Sequence, residues 1–374
     1  MQFKLSSGLL SAQLQLLSKV LVSKNSIAVL DGFLFEVGTD ALTITAGDGE
    51  NVVKSIVPIS DCDAQGSFVI LASTILDAMR ALPDQPVEFA VDIEALNIEI
   101  NYLNGVYHFP VMSAESYPQP SAVSDGAITL TIDSELLARC LSRSLFAVGK
   151  EELRPVMNGI YFDLKEDCLT IVSSNGHILV QTNLPALHTS APTSFNLPSK
   201  PASILKTILD KCAGDVVIKF LDNCAEMSYE GGLMSCRLIE GRYPRYSSVI
   251  PQNNPNELTI DRLSLYGAVK RVTPFSRDGN PVIRVMLGEG KAILSAQNIE
   301  FDTSAKETVM CDYAGAPMTI GFRGDALAEV LANIDTGEVK MLLADPSRAG
   351  IVTPATQTEG EDVLMLIMPM ILND

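Results

Sequence analysis

His177, in the sequence Ser174-Asn175-Gly176-His177, is the side chain of this protein best suited to acid–base chemistry. An imidazole titrates near neutral pH and is a frequent general base in hydrolases. A hydrolase also needs a nucleophile, and the chain has neither a Gly-x-Ser-x-Gly motif nor a second histidine spaced to pair with the first. We therefore predict no enzymatic activity and interpret His177 as a hydrogen-bonded histidine in a binding pocket.

Two glycine-rich segments, residues 47–50 and 288–290, have the composition of phosphate or calcium loops. Neither has the spacing of a P-loop or an EF-hand, and both fall where turns are predicted. Seven cysteines are scattered without a CxxC pair: Cys62, Cys140, Cys168, Cys212, Cys224, Cys236 and Cys311. Their odd number favours buried reduced thiols over a disulfide framework. With only three histidines, none spaced near a cysteine, we expect no metal site and no cofactor.

The composition of the 374-residue chain is that of a globular protein, with 47% hydrophobic and 19% charged residues. The longest apolar run, residues 363–372, is interrupted by Pro369 and is about half the ~20 residues of a membrane span. The polar N-terminus lacks the apolar centre of a signal peptide, so we expect a cytoplasmic protein. The net charge of −18 argues against simple nucleic-acid binding, since phosphate contacts need Lys and Arg.

Residues 158–177 recur once before and once after in the chain. The earlier copy, residues 31–48, aligns Gly32 with Gly159, and the later copy, residues 281–298, aligns its residues at an equally constant offset. Each copy alternates apolar and polar residues on both sides of a Gly-, Asp- or Glu-rich turn, which predicts a β-hairpin. A period of about 125 residues is too long for a solenoid, whose repeats run about 20–50 residues, so the repeating unit is a domain.

Amphipathic helices flank each hairpin. The first helix of the middle third follows Asp133 or Ser134, and that of the last third follows Asp261, as predicted N-caps. The second helices are predicted at residues 73–82, 202–212 and 325–334. Further alternating strands complete each third, so the sequence predicts an α+β fold of three similar domains. Pro- and Ser-rich segments place the domains at residues 1–124, 125–254 and 255–374.

Four short motifs lie in a fixed order within these repeats. They are Met157-Asn158-Gly159, Ser174-Asn175-Gly176-His177, the run GRYPRYSSVIP at residues 241–251, and Met368-Pro369-Met370. Inside three domain-sized repeats, this combination resembles the bacterial sliding clamps, the beta subunits of DNA polymerase III. The resemblance covers all three thirds of the chain. It implies the DNA clamp fold, with antiparallel sheets outside and two helices per domain on the inner face of a six-domain ring formed by a homodimer.

The resemblance further implies a non-catalytic processivity factor that encircles duplex DNA through weak contacts. Such a ring tethers the replicative DNA polymerase, the clamp loader and other replication and repair proteins through their linear peptide motifs. A topological link also accounts for the acidic charge, because a sliding protein need not bind phosphate tightly. The alternative that the sequence leaves open is a repeat-built protein-interaction scaffold without a topological DNA role, which retention on circular DNA would separate from a clamp.

The resemblance assigns candidate residues to three sites. An apolar pocket between the second and third domains would bind partner peptides through Met157, Ser174, Gly176, His177, Leu179, Pro244, Val249, Leu366, Ile367, Met368, Pro369, Met370 and Leu372. The residues expected to face DNA are Lys24, Arg80, Lys150, Arg154, Lys200 and Lys206. The dimer contact would join Tyr107 and Phe109, on an edge strand of the first domain, to Pro274 and Phe275 of the third.

Several positions depart from the usual clamp pattern. Ile178, Ser248 and Ile371 stand where basic residues are frequent, and residues 373–374 extend past the usual terminal leucine. We therefore expect a less cationic pocket with an altered peptide preference. The first and third hairpin copies have residues 46–49 and 297–300 in place of the Ser-Asn-Gly-His sequence. The pocket is accordingly expected once per chain.

Overall fold

The computed structural model describes residues 1–22, 25, 27–118, 123, 126–276 and 281–372. The α-helices within these ranges are Ser7–Leu17 (α1), Ala72–Ala81 (α2), Ser134–Leu145 (α3), Ser199–Leu209 (α4), Arg262–Val272 (α5) and Gly324–Ala332 (α6). The strands of the first third are Gln2–Ser6 (β1), Gly32–Val37 (β2), Ala41–Gly47 (β3), Asn51–Pro58 (β4), Gly66–Leu71 (β5), Pro86–Asp92 (β6), Asn97–Tyr102 (β7), Gly105–Pro110 (β8) and Met112–Ser113 (β9). All the strand pairs described below are antiparallel.

The middle third contains the strands Ile128–Asp133 (β10), Gly159–Leu164 (β11), Leu169–Ser174 (β12), Ile178–Leu184 (β13), Thr193–Pro198 (β14), Asp215–Leu221 (β15), Cys224–Tyr229 (β16) and Gly232–Arg237 (β17). The last third contains Asn256–Asp261 (β18), Val282–Gly288 (β19), Lys291–Asn298 (β20), Thr303–Tyr313 (β21), Met318–Arg323 (β22), Glu338–Leu343 (β23), Gly350–Pro354 (β24) and Asp362–Ile367 (β25). Each third contains the predicted succession of helix, strands, helix and strands, but each begins with a strand (β1, β10 or β18) that the predicted order lacks.

The three predicted hairpins are confirmed as the pairs β2–β3, β11–β12 and β19–β20. Corresponding apolar residues face each other across them: Phe35 and Ile44, Phe162 and Ile171, and Val285 and Leu294. All six side chains are buried, because alternate residues of a strand point to the same face of a sheet. The repeat that is visible in the sequence is therefore a repeat of strand register.

The predicted helix caps at Asp133 and Asp261 are confirmed. The Asp133 carboxylate accepts a hydrogen bond from the backbone N–H of Leu136 (2.9 Å), and that of Asp261 accepts one from Ser264 (2.7 Å). Each bond satisfies a backbone donor that has no partner inside the helix. α1 ends at Leu17, because the N–H groups of Lys19 and Val20 bond to carbonyls only three residues back, those of Leu16 and Leu17.

The chain divides into two compact units. The first comprises residues 1–138 and 203–238, and the second comprises residues 139–202 and 239–374. Within its described part, the first unit holds a four-stranded sheet, β1-β6-β7-β8, and a nine-stranded sheet, β10-β15-β16-β17-β4-β3-β2-β5-β9. The second unit holds a twelve-stranded sheet, β14-β11-β12-β13-β25-β24-β23-β18-β21-β20-β19-β22.

Two strand pairs join neighbouring thirds of the sequence into these sheets. In the first unit β4 pairs with β17, and in the second unit β13 pairs with β25. The predicted boundary after residue 124 lies outside the described residues. The boundary after residue 254 falls between a short 3₁₀ helix, Tyr246–Ser248, and β18. The predicted domain limits stay predictions.

Candidate functional site

The tight turn between β12 and β13 fixes the Ser-Asn-Gly-His sequence. The Asn175 side-chain oxygen accepts hydrogen bonds from the backbone N–H groups of His177 (3.0 Å) and Ile178 (2.9 Å). Gly176 has a φ of +87°, a conformation that residues with a Cβ rarely adopt. The imidazole of His177 is exposed and has no hydrogen bond within the described ranges, so the expected bond to this side chain is not found there.

An apolar cluster lies beside this turn and unites three distant segments. Leu179 of β13 lies directly opposite Leu366 of β25, and both pack with Tyr243 from the run at residues 241–251. The Tyr243 ring stacks on that of Tyr161, with centroids 4.5 Å apart and planes within 6°. Burial raises the pKa of Tyr243 well above its usual value, so its hydroxyl stays neutral. This cluster is a rigid apolar floor.

Exposed apolar side chains surround the floor. Val249 is 56% exposed and Met368 is 42% exposed, whereas Leu179 and Leu366 are each 3% exposed. The backbone N–H of Met368 donates to the carbonyl of His177 (2.8 Å), which holds the end of β25 against the turn. Pro244 is exposed on the same run as Tyr243. Water-exposed apolar groups around a fixed floor are suited to binding an apolar ligand.

The end of the chain crosses from β25 to β22. The backbone N–H of Met370 donates to the carbonyl of Gly321 (2.8 Å). A Cβ at Gly321 would lie 2.6 Å from the Met370 carbonyl oxygen and 2.8 Å from Leu372, so only glycine allows this approach. Pro369, Met370 and Leu372 are half-buried, while Ile371 is 88% exposed. β25 itself lies inside the sheet and is not an edge strand.

The segment containing Met157 reaches the run at residues 241–251 from its other end. Met157 is half-buried in a 3₁₀ helix, Pro155–Met157, and its carbonyl accepts from the N–H of Gly149 (2.8 Å). The neighbouring Val156 side chain would lie 3.0 Å from a Cβ placed at Gly241. Ser174, at the end of β12, donates through its hydroxyl to the carbonyl of Ile178 (2.8 Å).

Two of the discussed side chains lie on the opposite face of the sheet. Ile367 and Ile178 pair across β25 and β13 and are buried in the core of the second unit, which contains α5 and α6. Ile367 therefore supports the cleft from behind and contributes no lining. Ser248 is exposed and donates to the carbonyl of Arg245 (2.7 Å). Arg242 and Arg245, on the same run as Ser248, are exposed.

A polar chain of side chains borders the apolar floor. Lys165 donates to the Tyr246 hydroxyl (2.8 Å), which donates in turn to Asp163 (2.7 Å). Burial and the Asp163 carboxylate raise the pKa of Tyr246, so the hydroxyl keeps its proton. Burial opposes the charge of Lys165, but its contacts with Tyr246 and Asp163 outweigh this and raise its pKa. This row of hydrogen bonds from Lys165 through Tyr246 to Asp163 holds the 3₁₀ helix Tyr246–Ser248 in place.

A buried ion network ties α3 to the loop before β25. Arg139 donates to the Glu361 carboxylate (2.8 Å), and Arg143 donates to its other oxygen and to Asp335 (3.2 Å). Burial disfavours the charge on Glu361, but the two guanidinium groups outweigh this and lower its pKa. No local pattern predicts this network, because Arg139 and Glu361 are 222 residues apart.

The residues predicted to face DNA lie at helix ends and in one loop. Arg80 is in the last turn of α2, Lys200 is in the first turn of α4, and Lys206 is in its last turn, 3.0 Å from Asp210. Lys150 and Arg154 are exposed in the segment after α3. Lys24 lies outside the described residues. The salt bridges of these groups to Asp77, Glu151 and Asp210 are local and weak.

The predicted dimer residues lie in two separate places. Tyr107 and Phe109 are on β8, which is the edge strand of the four-stranded sheet, as expected. Pro274 and Phe275 form a 3₁₀ helix, Thr273–Phe275, that packs against β21. Within the described part of the chain, residues 303–310 of β21 pair only with β20, so their other edge is open. Arg271 binds Glu307 of this segment through two hydrogen bonds (2.6 and 3.0 Å).

Sequence reasoning missed Tyr243, Tyr161 and Gly321. Tyr243 lies inside a motif that was identified, but its ring forms the floor while the predicted Pro244 and Val249 form the rim. A Tyr-Pro pair recurs at Tyr117-Pro118, and this repetition is the signal that could have found it. A glycine inside a strand signals a close approach of another backbone, which is what Gly321 provides.

The described ranges contain no group of three or more His, Cys, Asp or Glu side chains arranged to hold a metal ion. In the same part of the chain, no helix has the length and apolar character needed to cross a membrane. The seven thiols are unpaired, and burial raises the pKa of Cys140 and Cys236 to about 12, which leaves both protonated and unreactive.

Models of three protein domains match this chain in order. They are the N-terminal, central and C-terminal domains of the DNA polymerase III beta subunit, at residues 1–121, 131–245 and 247–371. The beta sliding clamp of Pseudomonas aeruginosa is 25% identical over 371 residues, covering 99% of this chain and 100% of that protein. That of Staphylococcus aureus is 24% identical over 380 residues, covering 99% of each.

Solved structures show the same fold. A sliding clamp from Pseudomonas aeruginosa bound to griselimycin has a TM-score of 0.93 at 24% identity, and each chain is covered completely. A beta subunit from Thermotoga maritima has a TM-score of 0.89 at 23% identity, again over both complete chains. The fold is the three-domain DNA clamp fold.

The chain belongs to the family of DNA polymerase III beta subunits. Its function is that of a DNA sliding clamp, the non-catalytic processivity factor of this polymerase.

Proposed function

We propose that the cleft around Leu179, Tyr243 and Leu366 is where this clamp captures peptide segments of the replicative polymerase, the clamp loader and other partners. The observation that supports it is the convergence of the β12–β13 turn, the run at residues 241–251 and the chain end on one apolar cluster. The proposed lining is Met157, Ser174, Gly176, His177, Leu179, Pro244, Val249, Leu366, Met368, Pro369, Met370 and Leu372, with Ile367 behind it.

The cleft suits a short apolar motif. Its floor is fixed by β-pairing and ring stacking, so binding does not have to order it. Val249 and Met368 leave water when a peptide covers them, which stabilises the complex by about 25 cal/mol per Å² of apolar area. Methionine side chains adapt to different anchors, which suits a site that several partners share. Positions 178, 248 and 371 carry Ile, Ser and Ile and no basic residue. Acidic residues that flank the motif of a peptide therefore add little to its affinity.

The test of this site is a double substitution, Met368→Glu with Met370→Glu. It places charge at the rim without touching the buried floor, and we expect the affinity for a Gln/Leu/Phe-containing motif peptide to fall at least tenfold, measured by fluorescence anisotropy. Ile299→Glu is the matched control, because Ile299 is 84% exposed in the turn between β20 and β21. Unchanged affinity in the double variant would remove these residues from the site.

We further propose that two copies associate head to tail into the six-domain ring. β8 of one copy would pair with the open edge of β21, residues 303–310, of the other, and Tyr107 and Phe109 would pack on Pro274 and Phe275. Both strands present unpaired backbone groups, and pairing them removes two edges that would otherwise promote aggregation. A monomer at micromolar concentration in the ultracentrifuge would contradict the proposal.

Arg80, Lys150, Arg154, Lys200 and Lys206, with Lys24, are proposed to face the duplex inside the ring. Against a net charge of −18 these cations are few, so contacts with phosphate stay weak and the ring can slide. The proposed location is the cytoplasm, where the chromosome is copied.

A further inference from the structure

The strand pair β4–β17 of the first unit reproduces the backbone of the pair β13–β25. Cys236 lies opposite Asn51 in the first pair, and Ile367 lies opposite Ile178 in the second. The N–H of Arg237 donates to the carbonyl of Glu50 (3.1 Å), just as that of Met368 donates to His177 (2.8 Å). The end of one strand is therefore held against a turn in the same way at both places.

The two turns share the hydrogen bonds that the side chain of their second residue accepts from the backbone. The Asp48 carboxylate accepts from the N–H groups of Glu50 (3.0 Å) and Asn51 (2.7 Å), as Asn175 does in the other turn. Gly49 has a φ of +93°, close to the +87° of Gly176. Residues 47–50 are thus the counterpart of Ser174–His177, one residue later than the predicted residues 46–49. The prediction that the glycines of residues 47–50 serve a turn is confirmed.

A tyrosine followed by a proline completes the correspondence. Tyr117 is 4% exposed and Tyr243 is 6% exposed. Burial raises the pKa of Tyr117 to about 12 while the backbone of Gly47 opposes the shift, and Ser174 acts in the same way on Tyr243. Gly47 and Ser174 are equivalent positions. The Tyr117 hydroxyl donates to the carbonyl of Thr45 (3.4 Å), whereas the buried Tyr243 hydroxyl has no hydrogen-bond partner within the described residues.

A cleft of about 320 Å³ opens at this place in the first unit. Its lining includes Leu30, Val52, Tyr117, Pro118, Ser235 and Glu50. Leu30, Val52 and the Tyr-Pro pair occupy the positions that Met157, Leu179 and Tyr243-Pro244 have in the partner cleft. Two exchanges change the chemistry: Ser235 stands in place of Leu366, and Glu50 in place of His177. The cleft keeps an apolar wall but has a smaller, more polar floor, and its lining carries one acidic and one basic side chain, Glu50 and Arg237.

We propose that this cleft is a second peptide site, which takes an extended segment of a partner protein with one aliphatic side chain next to a Lys or Arg. This inference rests on the proposed function of the β13–β25 cleft, because the shared frame is the argument for a peptide. The volume lies at the lower end of the range of ligand pockets, about 300–1,000 Å³, and Leu30 and Val52 supply apolar surroundings for an aliphatic side chain. Glu50 is exposed, and no basic group pairs with its carboxylate within the described ranges, whereas Arg237 already has an interaction of its own.

The test is a methyl-NMR titration of the full-length dimer with two short peptides, Gly-Ser-Leu-Lys-Ser-Gly and Gly-Ser-Leu-Glu-Ser-Gly. We expect the methyl signals of Leu30 and Val52 to shift saturably, with the Lys peptide binding about threefold more tightly, as expected for one exposed ion pair. Glu50→Lys should reverse this order. Glu289→Lys is the control, because it makes the same charge change in the exposed turn between β19 and β20. It should leave the preference for the Lys peptide unaltered.

The two proposals fail separately in this experiment, because Leu179 and Leu366 report on the other cleft when the Gln/Leu/Phe-containing peptide is added. Silence at Leu179 and Leu366 with a response at Leu30 and Val52 would contradict the proposed partner site and leave the second site standing. The absence of saturable shifts at Leu30 and Val52, or shifts indifferent to Glu50→Lys, would overturn the second site.

Discussion

The pairs β4–β17 and β13–β25 share one backbone frame and differ in what is attached to it. β4–β17 joins the N-terminal domain to the central domain, and β13–β25 joins the central domain to the C-terminal domain. The first has Val52 opposite Ser235 and carries Glu50 and Arg237 in its lining, whereas the second has Leu179 opposite Leu366 and a methionine-rich rim. Repetition of the fold therefore supplies the geometry of a cleft at each joint, and side chains decide what each cleft binds.

The joints also differ in how they are secured. Glu361, which precedes β25, is 6% exposed and bound by Arg139 and Arg143, whereas Glu230, its counterpart before β17, is exposed. The joint with the proposed partner cleft is thus stiffened by a buried network. A rigid support beneath a binding site lowers the ordering cost of binding.

The largest expected effect is on this network. Arg143→Ala leaves Glu361 with one guanidinium partner in a buried position and should destabilise the β13–β25 joint by roughly 3 kcal/mol. Native-state hydrogen exchange of the β25 amides measures the loss at the joint itself, which matters because a multidomain chain need not unfold in one step. Glu230→Gln is the control and should change exchange at β17 by less than about 0.5 kcal/mol. Equal changes in amide exchange at β25 and β17 would contradict the claim that only the β13–β25 joint is stabilised by a buried ion network.

The third joint, between two copies, should depend on a few aromatic contacts. Phe109→Asp places a charge where β8 is proposed to meet the partner's Phe275, and we expect the dimer dissociation constant to rise roughly 30-fold or more, as for an interface hot spot. Sedimentation velocity over a dilution series measures it. Leu153→Asp, at a side chain that is 92% exposed, should leave the dimer intact. A dimer unaffected by Phe109→Asp would place the interface elsewhere.

Gly321→Ala tests the crossing of the chain end. Its Cβ would lie 2.6 Å from the Met370 carbonyl oxygen, so the segment after β25 must move and the rim of the partner cleft with it. We expect motif-peptide affinity to fall about threefold to tenfold in a fluorescence anisotropy titration. The matched control is Gly288→Ala, where a Cβ meets no atom within 4 Å. If both variants bind the peptide like the unmodified chain, the crossing does not shape the cleft.

The stability of the β13–β25 joint should fall in acid because of Glu361. The pKa of Glu361 is lowered in the folded chain, so its contribution is complete above the unfolded-state pKa, about 4.3, and is lost as pH falls through the lower folded value. Exchange at β25 should therefore accelerate on acidification below about pH 4.3, and Glu361→Gln should remove that component. An acid-induced acceleration of the same size in Glu361→Gln would assign it to other carboxylates.

Local patterns in the sequence predicted much of the fold. The hairpins, the caps at Asp133 and Asp261, and the motifs around Ser174 and Met368 follow from alternation, capping chemistry and short sequence signatures. What local patterns could not predict are contacts between distant segments. The Arg139–Glu361 pair and the approach of Met370 to Gly321 depend on how strands of different thirds align.

The cleft at the β4–β17 pair was not predicted from the sequence, for a related reason. Residues 46–49 were assigned to the place of Ser174–His177, one residue too early, although the alignment of Gly32 with Gly159 places residue 47 opposite Ser174, and this hid the match between the two turns. The hydrogen bonds of Asp48 and Asn175 restore the register, because a turn fixes its residues more strictly than an alternating strand does. The sequence motifs that indicate function belong to the β13–β25 joint. The cleft at the β4–β17 joint was found only from the three-dimensional structure.

The most direct test of the central claim is retention on DNA after loading. We predict that the dimer, loaded by a clamp loader onto a nicked circular plasmid, stays bound during gel filtration in 0.5 M salt and is released when one restriction cut linearises the plasmid. Such behaviour requires a topological link, since weak phosphate contacts do not survive that salt. Equal retention on the circle and on the linear product, or loss from both, would contradict a ring that encircles its template.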